Sequence, residues 1–276
     1  MSVEHLLLDG YLKELRLPAF RQYYDTFAED AIRSKQSYPG YLLALAQQEI
    51  TERDQRRVQQ RIRTARFPVL KELADFRFTE LPSLNRQRIL HLAQGDYIAK
   101  AQPIILVGNP GLGKTHIATG LALAACRQQN RVRFYHAAGL VNDLIAAQEE
   151  HRLDKLIAAA LRHHLLVIDE LGFIPFSPLG AQLIFQFCSA LQERVALILT
   201  TNLKFADWTQ VFGSEKLTLA LLDRLTHHAH IIEFIGESYR FKQRLDPTTF
   251  PEVSHDLTDL HPKPQPQPDP AEESVS

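Results

Sequence analysis

The stretch "LVGNPGLGKT", Leu106 to Thr115, decides the reading of this chain. Its spacing is a glycine, four residues and then Gly-Lys-Thr, starting at Gly108. An apolar run precedes it, Ile104 to Val107, and a helix-forming run follows in Ile117, Ala118, Leu121, Ala122 and Ala125. A strand, a glycine-rich turn and a helix is the setting in which such a loop wraps phosphates. The glycines let successive backbone N–H groups point inward, and the helix N-terminus adds its positive end. On this reading Gly108, Asn109, Pro110, Gly111, Leu112, Gly113 and His116 shape the cradle, Lys114 reaches the terminal phosphates, and the Thr115 hydroxyl ligates magnesium.

Outward from the loop, short apolar runs alternate with helical patterns. Strands are expected at Ile104 to Val107, Val132 to His136, Leu165 to Asp169, Ala196 to Thr201 and Ile231 to Phe234. With helices between them, the economical fold is α/β, a parallel sheet covered on both faces. The third strand ends in "LLVIDE", which supplies Asp169 for a magnesium shell and Glu170 to polarise an attacking water. An acid directly after the metal-binding Asp points to ATP hydrolysis rather than phosphoryl transfer to a small molecule. After the next strand, "LTTN" puts Asn202 where it can hold the same water or the γ-phosphate. Arg224 lies on a helix leading into the last strand, with Arg240 beyond it. An arginine that neutralises charge on the γ-phosphate can be donated by a neighbouring subunit; from the residues alone, both read equally well as surface arginines.

The region before the loop has a different texture. Leu6, Leu7, Tyr11, Leu12 and Leu15 recur at helical spacing, and Pro18 is placed to open a second helix. The run from Ser37 to Pro68 begins with a turn signal at Pro39-Gly40 and then continues without Pro or Gly, which predicts one long helix. The net charge of -1 hides its asymmetry, because Thr51 to Arg66 holds six arginines against two acids. Arg53, Arg56, Arg57 and Arg61 share one face by their spacing and are candidates for DNA phosphates, with a solvated or subunit-contacting face as the equal alternative. The expected organisation is an all-α domain over 1–67, a connecting segment over 68–101, a nucleotide domain over 102–245 and a disordered Pro- and acid-rich tail over 246–276.

Several classes are set aside. No apolar run approaches the roughly 20 residues of a spanning helix, so no membrane role is expected and the cytoplasm is the simplest compartment. Cys126 and Cys188 stand apart and suggest neither a disulfide framework nor a metal site. His163-His164 and the group His227, His228 and His230 lack a completing ligand pattern. Phe173, Phe176, Phe185 and Phe187 read as core rather than as a platform for stacked bases.

Five segments together, "LKELRLP", "GNPGLGKTH", "LLVIDELGF", "ILTTN" and "LLDRLTHHAHIIEFIGESYR", resemble the IstB family of ATP-binding helpers of insertion-sequence transposases. That family is similar to DnaC helicase loaders and DnaA initiators within the AAA+ superfamily, and the resemblance runs from about Leu6 to Leu245. It implies an AAA+ P-loop core with strand order 5-1-4-3-2, ATP and Mg2+ as cofactors, ATP-dependent self-assembly on duplex DNA, and a cognate transposase as partner during target selection. A DnaC-like loader of a replicative helicase is the alternative. Carried onto this chain, Lys114 and Thr115 are the Walker A contacts, Asp169 and Glu170 the Walker B acids, Asn202 the first sensor and Arg224 the arginine finger. Arg240 falls near the second sensor, although the family departs from the wider clade in having no clear lid domain. The segment from Ala137 to His164 resembles an initiator-type insertion that lines a DNA channel, which adds Arg152 and Lys155 to the DNA candidates. No base-reading motif accompanies them, so little sequence preference is expected.

Overall fold

The computed structural model describes residues 3–238. Three helices open it: α1 (Val3–Glu14), α2 (Pro18–Arg33) and α3 (Tyr38–Ala65). Pro18 begins α2 at the position where a helix needs no N–H partner. The Ser37 hydroxyl caps α3 by accepting from the Gly40 N–H. Between the helices sits Glu49, buried on α3, whose carboxylate accepts from the Ala19 N–H at 2.7 Å and from Arg53 Nε at 2.7 Å. A buried carboxylate is tolerated there because a helix N-terminus and a guanidinium both compensate it.

The arginine-rich half of α3 leaves the hairpin and lies against the sheet. Ala65 is fully buried in the core, and Phe67 packs against Phe134 with ring centroids 6.1 Å apart. After α3 the chain forms two short 3-10 turns, Leu73–Asp75 and Phe78–Glu80, then α4 (Arg86–Leu92) and α5 (Asp96–Ala99).

The rest alternates strand and helix: β1 (Ile104–Gly108), α6 (Lys114–Arg127), β2 (Val132–His136), α7 (Ala137–Glu149), α8 (Leu153–Ala160), β3 (Leu165–Asp169), α9 (Pro178–Leu191), β4 (Ala196–Thr201), α10 (Thr209–Phe212), α11 (Glu215–Thr226) and β5 (His230–Phe234). The five strands pair in parallel in the order β2-β3-β4-β1-β5, the expected 5-1-4-3-2 read from the other edge. Strands β3 and β4 are buried along their whole length, which is why their sequences are continuous apolar runs instead of alternating ones.

Two apolar layers sandwich the sheet. One gathers Leu121, Ala125 and Ala65 beneath Ile104, Leu106 and Val167; the other packs Leu140, Leu144, Phe187 and Trp208 on Ile105, Ile168 and Leu199. Helices α7 and α8, the segment likened to an initiator insertion, bury Leu140, Val141, Leu144 and Leu153 in this second layer and leave Arg152 and Lys155 exposed. No helix among the described residues is long and apolar enough to cross a membrane. The tail from 246 onward lies outside the described residues.

Candidate nucleotide site

Parallel strands bring their C-terminal ends to one edge, and crossovers on both faces leave a crevice there. The glycine loop leaves β1 into that crevice. Gly108 has φ of +149°, and a Cβ on it would lie 2.4 Å from the Phe234 carbonyl oxygen on β5. Gly113, with φ of +87°, begins α6, and its missing Cβ leaves room for the Phe76 ring. Only glycine lets the loop turn this tightly against two neighbours. Lys114 folds back along the loop, donating from Nζ to the carbonyls of Gly108 at 2.6 Å and Asn109 at 2.9 Å.

Behind the loop, the Thr115 hydroxyl lies 3.0 and 3.1 Å from the two carboxylate oxygens of Asp169, which is buried at the end of β3. Glu170 follows with φ of +61°, an uncommon conformation for a side chain with a Cβ, and lines the cavity. Asn202 and Thr201 line it from the end of β4. Thus Lys114, Thr115, Glu170 and Asn202 line one cavity of about 500 Å³, the scale of a nucleotide, and Asp169 lies buried behind Thr115. A hydroxyl facing a carboxylate is a hard-oxygen pair of the kind that holds magnesium alongside phosphate, so these residues fit that ion.

One wall was not legible in the sequence. The connecting segment folds over the cavity, contributing Lys71, Phe76, Glu80 and Leu81. It is latched to α6 by three contacts. His116 Nε2 donates to the Glu72 carbonyl at 2.7 Å, Phe76 meets the His116 ring edge-on with centroids 5.3 Å apart, and Arg127 on α6 forms a two-pronged ion pair with Glu72. The Arg127 guanidinium holds the Glu72 carboxyl below its ordinary range. Gly120 on α6 allows the approach, since a Cβ there would press 2.6 Å from the Leu73 side chain. The sequence signal available was the phenylalanine pair in "DFRFTE", Phe76 and Phe78, in the segment that precedes the loop strand.

Two more residues went unnoticed. Thr200 sits under Asp169 and Glu170 and bonds to both. His136, ending β2, is paired in register with Asp169, with Nδ1 3.9 Å from Oδ2.

Arg224 is not brought to this cavity. It lies at the opposite edge of the sheet, beside a small cavity of about 90 Å³ lined by Pro103, which precedes β1, and by Val195, which precedes β4. Its guanidinium rests 4.6 Å from the centre of the Phe185 ring, and its Nη1 is buried with no hydrogen-bond partner among the described residues. Arg240 lies outside the described residues.

The DNA candidates are engaged within the chain to different degrees. Arg53 and Arg56 pair with Glu49, Arg56 also with Glu52, and Arg57 with Asp54, so much of the helix charge is answered locally. Arg61 donates to Gln129 at 3.3 Å, and Arg152 pairs with Glu150. The phenylalanines need a correction. Phe187 is core and Phe176 and Phe185 are half-buried, but Phe173 is 66% exposed on the cavity rim, because the turn after Glu170 lifts away from the sheet.

A five-stranded parallel sheet in this order, with a glycine loop after β1 and an acid pair at the end of β3, defines a nucleotide-binding protein of the P-loop class. Residues 10–247 match the IstB-like ATP binding proteins, and the chain belongs to that family. It is 34% identical over 242 residues to the ATP-binding protein of insertion sequence IS232 from Bacillus thuringiensis subsp. berliner, an overlap of 88% of this chain and 97% of the relative. It is likewise 34% identical over 237 residues to the ATP-binding protein of IS21 from Pseudomonas aeruginosa, covering 86% of this chain and 89% of that one. The replication initiator DnaA bound to AMPPCP and single-stranded DNA shares the fold, with a TM-score of 0.50 and 19% identity over 63% of this chain and 54% of that one.

Proposed function

We propose that this ATP-binding protein is a magnesium-dependent ATPase that assembles with copies of itself on duplex DNA and assists an insertion-sequence transposase in choosing its target. The observation that carries the reading is a division of parts. The cavity gathers a phosphate loop, a water-polarising acid and a polar sensor, with the metal acid directly behind Thr115, but the arginine that would complete it stands at the far edge of the sheet. A five-residue strand spans roughly 16 Å, so Arg224 is too distant to serve its own cavity. An arginine supplied by a neighbour makes hydrolysis conditional on assembly.

Within the cavity, Lys114 would leave the loop carbonyls for the β- and γ-phosphates, and the loop N–H groups would carry the remaining negative charge. Magnesium, when bound, supplies charge neutralisation at the phosphates, held by Thr115 and Asp169. Glu170 would take the proton of the attacking water, with Asn202 orienting that water or the γ-phosphate. The latched segment with Phe76 and Leu81 offers the apolar wall for the base. The unit over 102–245 would be the ATPase proper, and the helical unit over 1–67, with the arginines of α3, the part that meets DNA or the transposase. Exposed Lys155, with Arg61 and Arg152, would add phosphate contacts, giving binding that weakens with salt and reads little sequence.

The test is light scattering after size-exclusion chromatography, with and without duplex DNA, in ADP or in a slowly hydrolysed ATP analogue with magnesium. A large species that needs both analogue and DNA, and that Lys114→Ala abolishes, is expected. A monomer indifferent to duplex under every condition overturns the assembly reading.

A further inference from the structure

We propose that Thr200, a residue of the "ILTTN" segment to which no role is assigned above, is the positioning residue that sets both acids of the nucleotide site; this rests on the magnesium-dependent reading above. Thr200 stands next to last on β4, 1% exposed, beside the end of β3. Its hydroxyl donates to Asp169 Oδ1 at 2.5 Å and accepts from the Glu170 N–H at 2.8 Å. Its backbone carbonyl accepts from the Leu171 N–H at 2.8 Å.

The direction of these bonds is forced. A threonine hydroxyl has one proton and two lone pairs, and the Glu170 N–H can only donate. The hydroxyl proton therefore points at Asp169, and Asp169 Oδ1 is committed to the protein. That leaves Oδ2, turned toward Thr115 at 3.1 Å, as the less committed oxygen for a metal. The second bond and the carbonyl bond together grip the peptides on either side of Glu170, where the backbone takes φ of +61°. A side chain with a Cβ holds that conformation only when its surroundings over-determine it. Here the surroundings are one residue of the adjacent strand, and the conformation is what turns Glu170 onto the cavity wall while Asp169 stays beneath it.

Valine has nearly the shape of threonine and lacks both bonds, while serine keeps them. The experiment compares the full-length protein with Thr200→Val and Thr200→Ser. A fluorescent ATP analogue reports affinity in EDTA and across a magnesium titration, and ATP turnover is measured with duplex DNA present. For Thr200→Val, affinity in EDTA stays within about twofold, the magnesium needed for half-maximal tightening rises about tenfold, and kcat falls about a hundredfold with KM little changed. Thr200→Ser returns both to within about threefold. If the valine variant fails to fold, Thr200→Ala takes its place.

A valine variant with unchanged magnesium response and kcat overturns the proposal. So does a serine variant as impaired as valine, or an affinity loss that is equal with and without magnesium, which marks a merely structural role. If the unmodified protein tightens on nucleotide with magnesium yet never turns it over, the ATPase reading fails while the magnesium titration still decides Thr200.

Discussion

The hydroxyl of Thr115 bridges the two carboxylate oxygens of Asp169, at 3.0 and 3.1 Å, joining the first turn of α6 to the end of β3 across 54 positions of sequence. A magnesium ion arriving with phosphate would use the same oxygens. Asp169→Asn should therefore leave nucleotide affinity in EDTA within about threefold and reduce the magnesium-dependent tightening by tenfold or more. Because both groups serve one ion, adding Thr115→Val should cost little further. Additive losses in the titration would show that they act separately.

Glu170→Gln keeps the side-chain shape and removes the base. Turnover is expected to fall by about 10²–10³-fold with nucleotide affinity retained. A variant hydrolysing ATP at the unmodified rate would remove Glu170 from the chemistry.

Arg224, seated on the Phe185 ring far from its own cavity, invites a mixing experiment. Arg224→Ala alone should bind nucleotide normally and lose turnover by about 10²-fold or more. Mixed with Lys114→Ala, which offers an intact arginine but a disabled cradle, it should recover part of that turnover. No recovery at any ratio, with both variants folded, would argue that the arginine does not act across an interface.

Gly108 and Gly139 make a paired stability test. An alanine at Gly108 meets the Phe234 carbonyl at 2.4 Å, and should lower the melting temperature by roughly 5–10 °C. Gly139, in α7, has nothing among the described residues within 4 Å of its missing Cβ, so alanine there should hold or raise stability by about 0.5–1 kcal/mol. Equal responses in thermal melts would contradict the close approach of β1 and β5.

Burial lowers the pKa of His163, His164 and His230, with nearby arginines, Arg131 for the first two and Arg88 for the third, acting in the same direction. Their folded pKa values lie below the unfolded value of about 6.5, so the unfolded chain takes up protons first. Stability from this source is complete above that pH and is lost as pH falls below it. Melting curves from pH 7.5 to 5.5 should show a falling midpoint, and a variant with all three changed to glutamine should show a flatter slope. An unchanged slope would assign the acid sensitivity elsewhere.

Much of the fold was legible because its signals are local. Each strand was placed to within one residue, with Gly108 joining β1 and His230 joining β5, since buried parallel strands announce themselves as short apolar runs. The long helix, the glycine loop and the acid pair follow the same logic, and the strand order followed from the resemblance those motifs carry. Local pattern failed at Phe173, where a turn overrode the apolar signal; at α3 it placed the arginines on the helix but held no sign that Arg53, Arg56 and Arg57 pair with acids of the same helix.

By itself the sequence determined which side chains are candidates for a phosphate site and which strand or helix end carries each one. Tertiary structure alone decided that the connecting segment closes that site through Glu72, His116 and Arg127, that Thr200 grips both acids, and that Arg224 faces away from its own cavity. The reason is physical: hydrogen bonds between residues 30 to 55 positions apart leave no periodicity in the chain, and become visible only when neighbouring strands and helices bring their partners together.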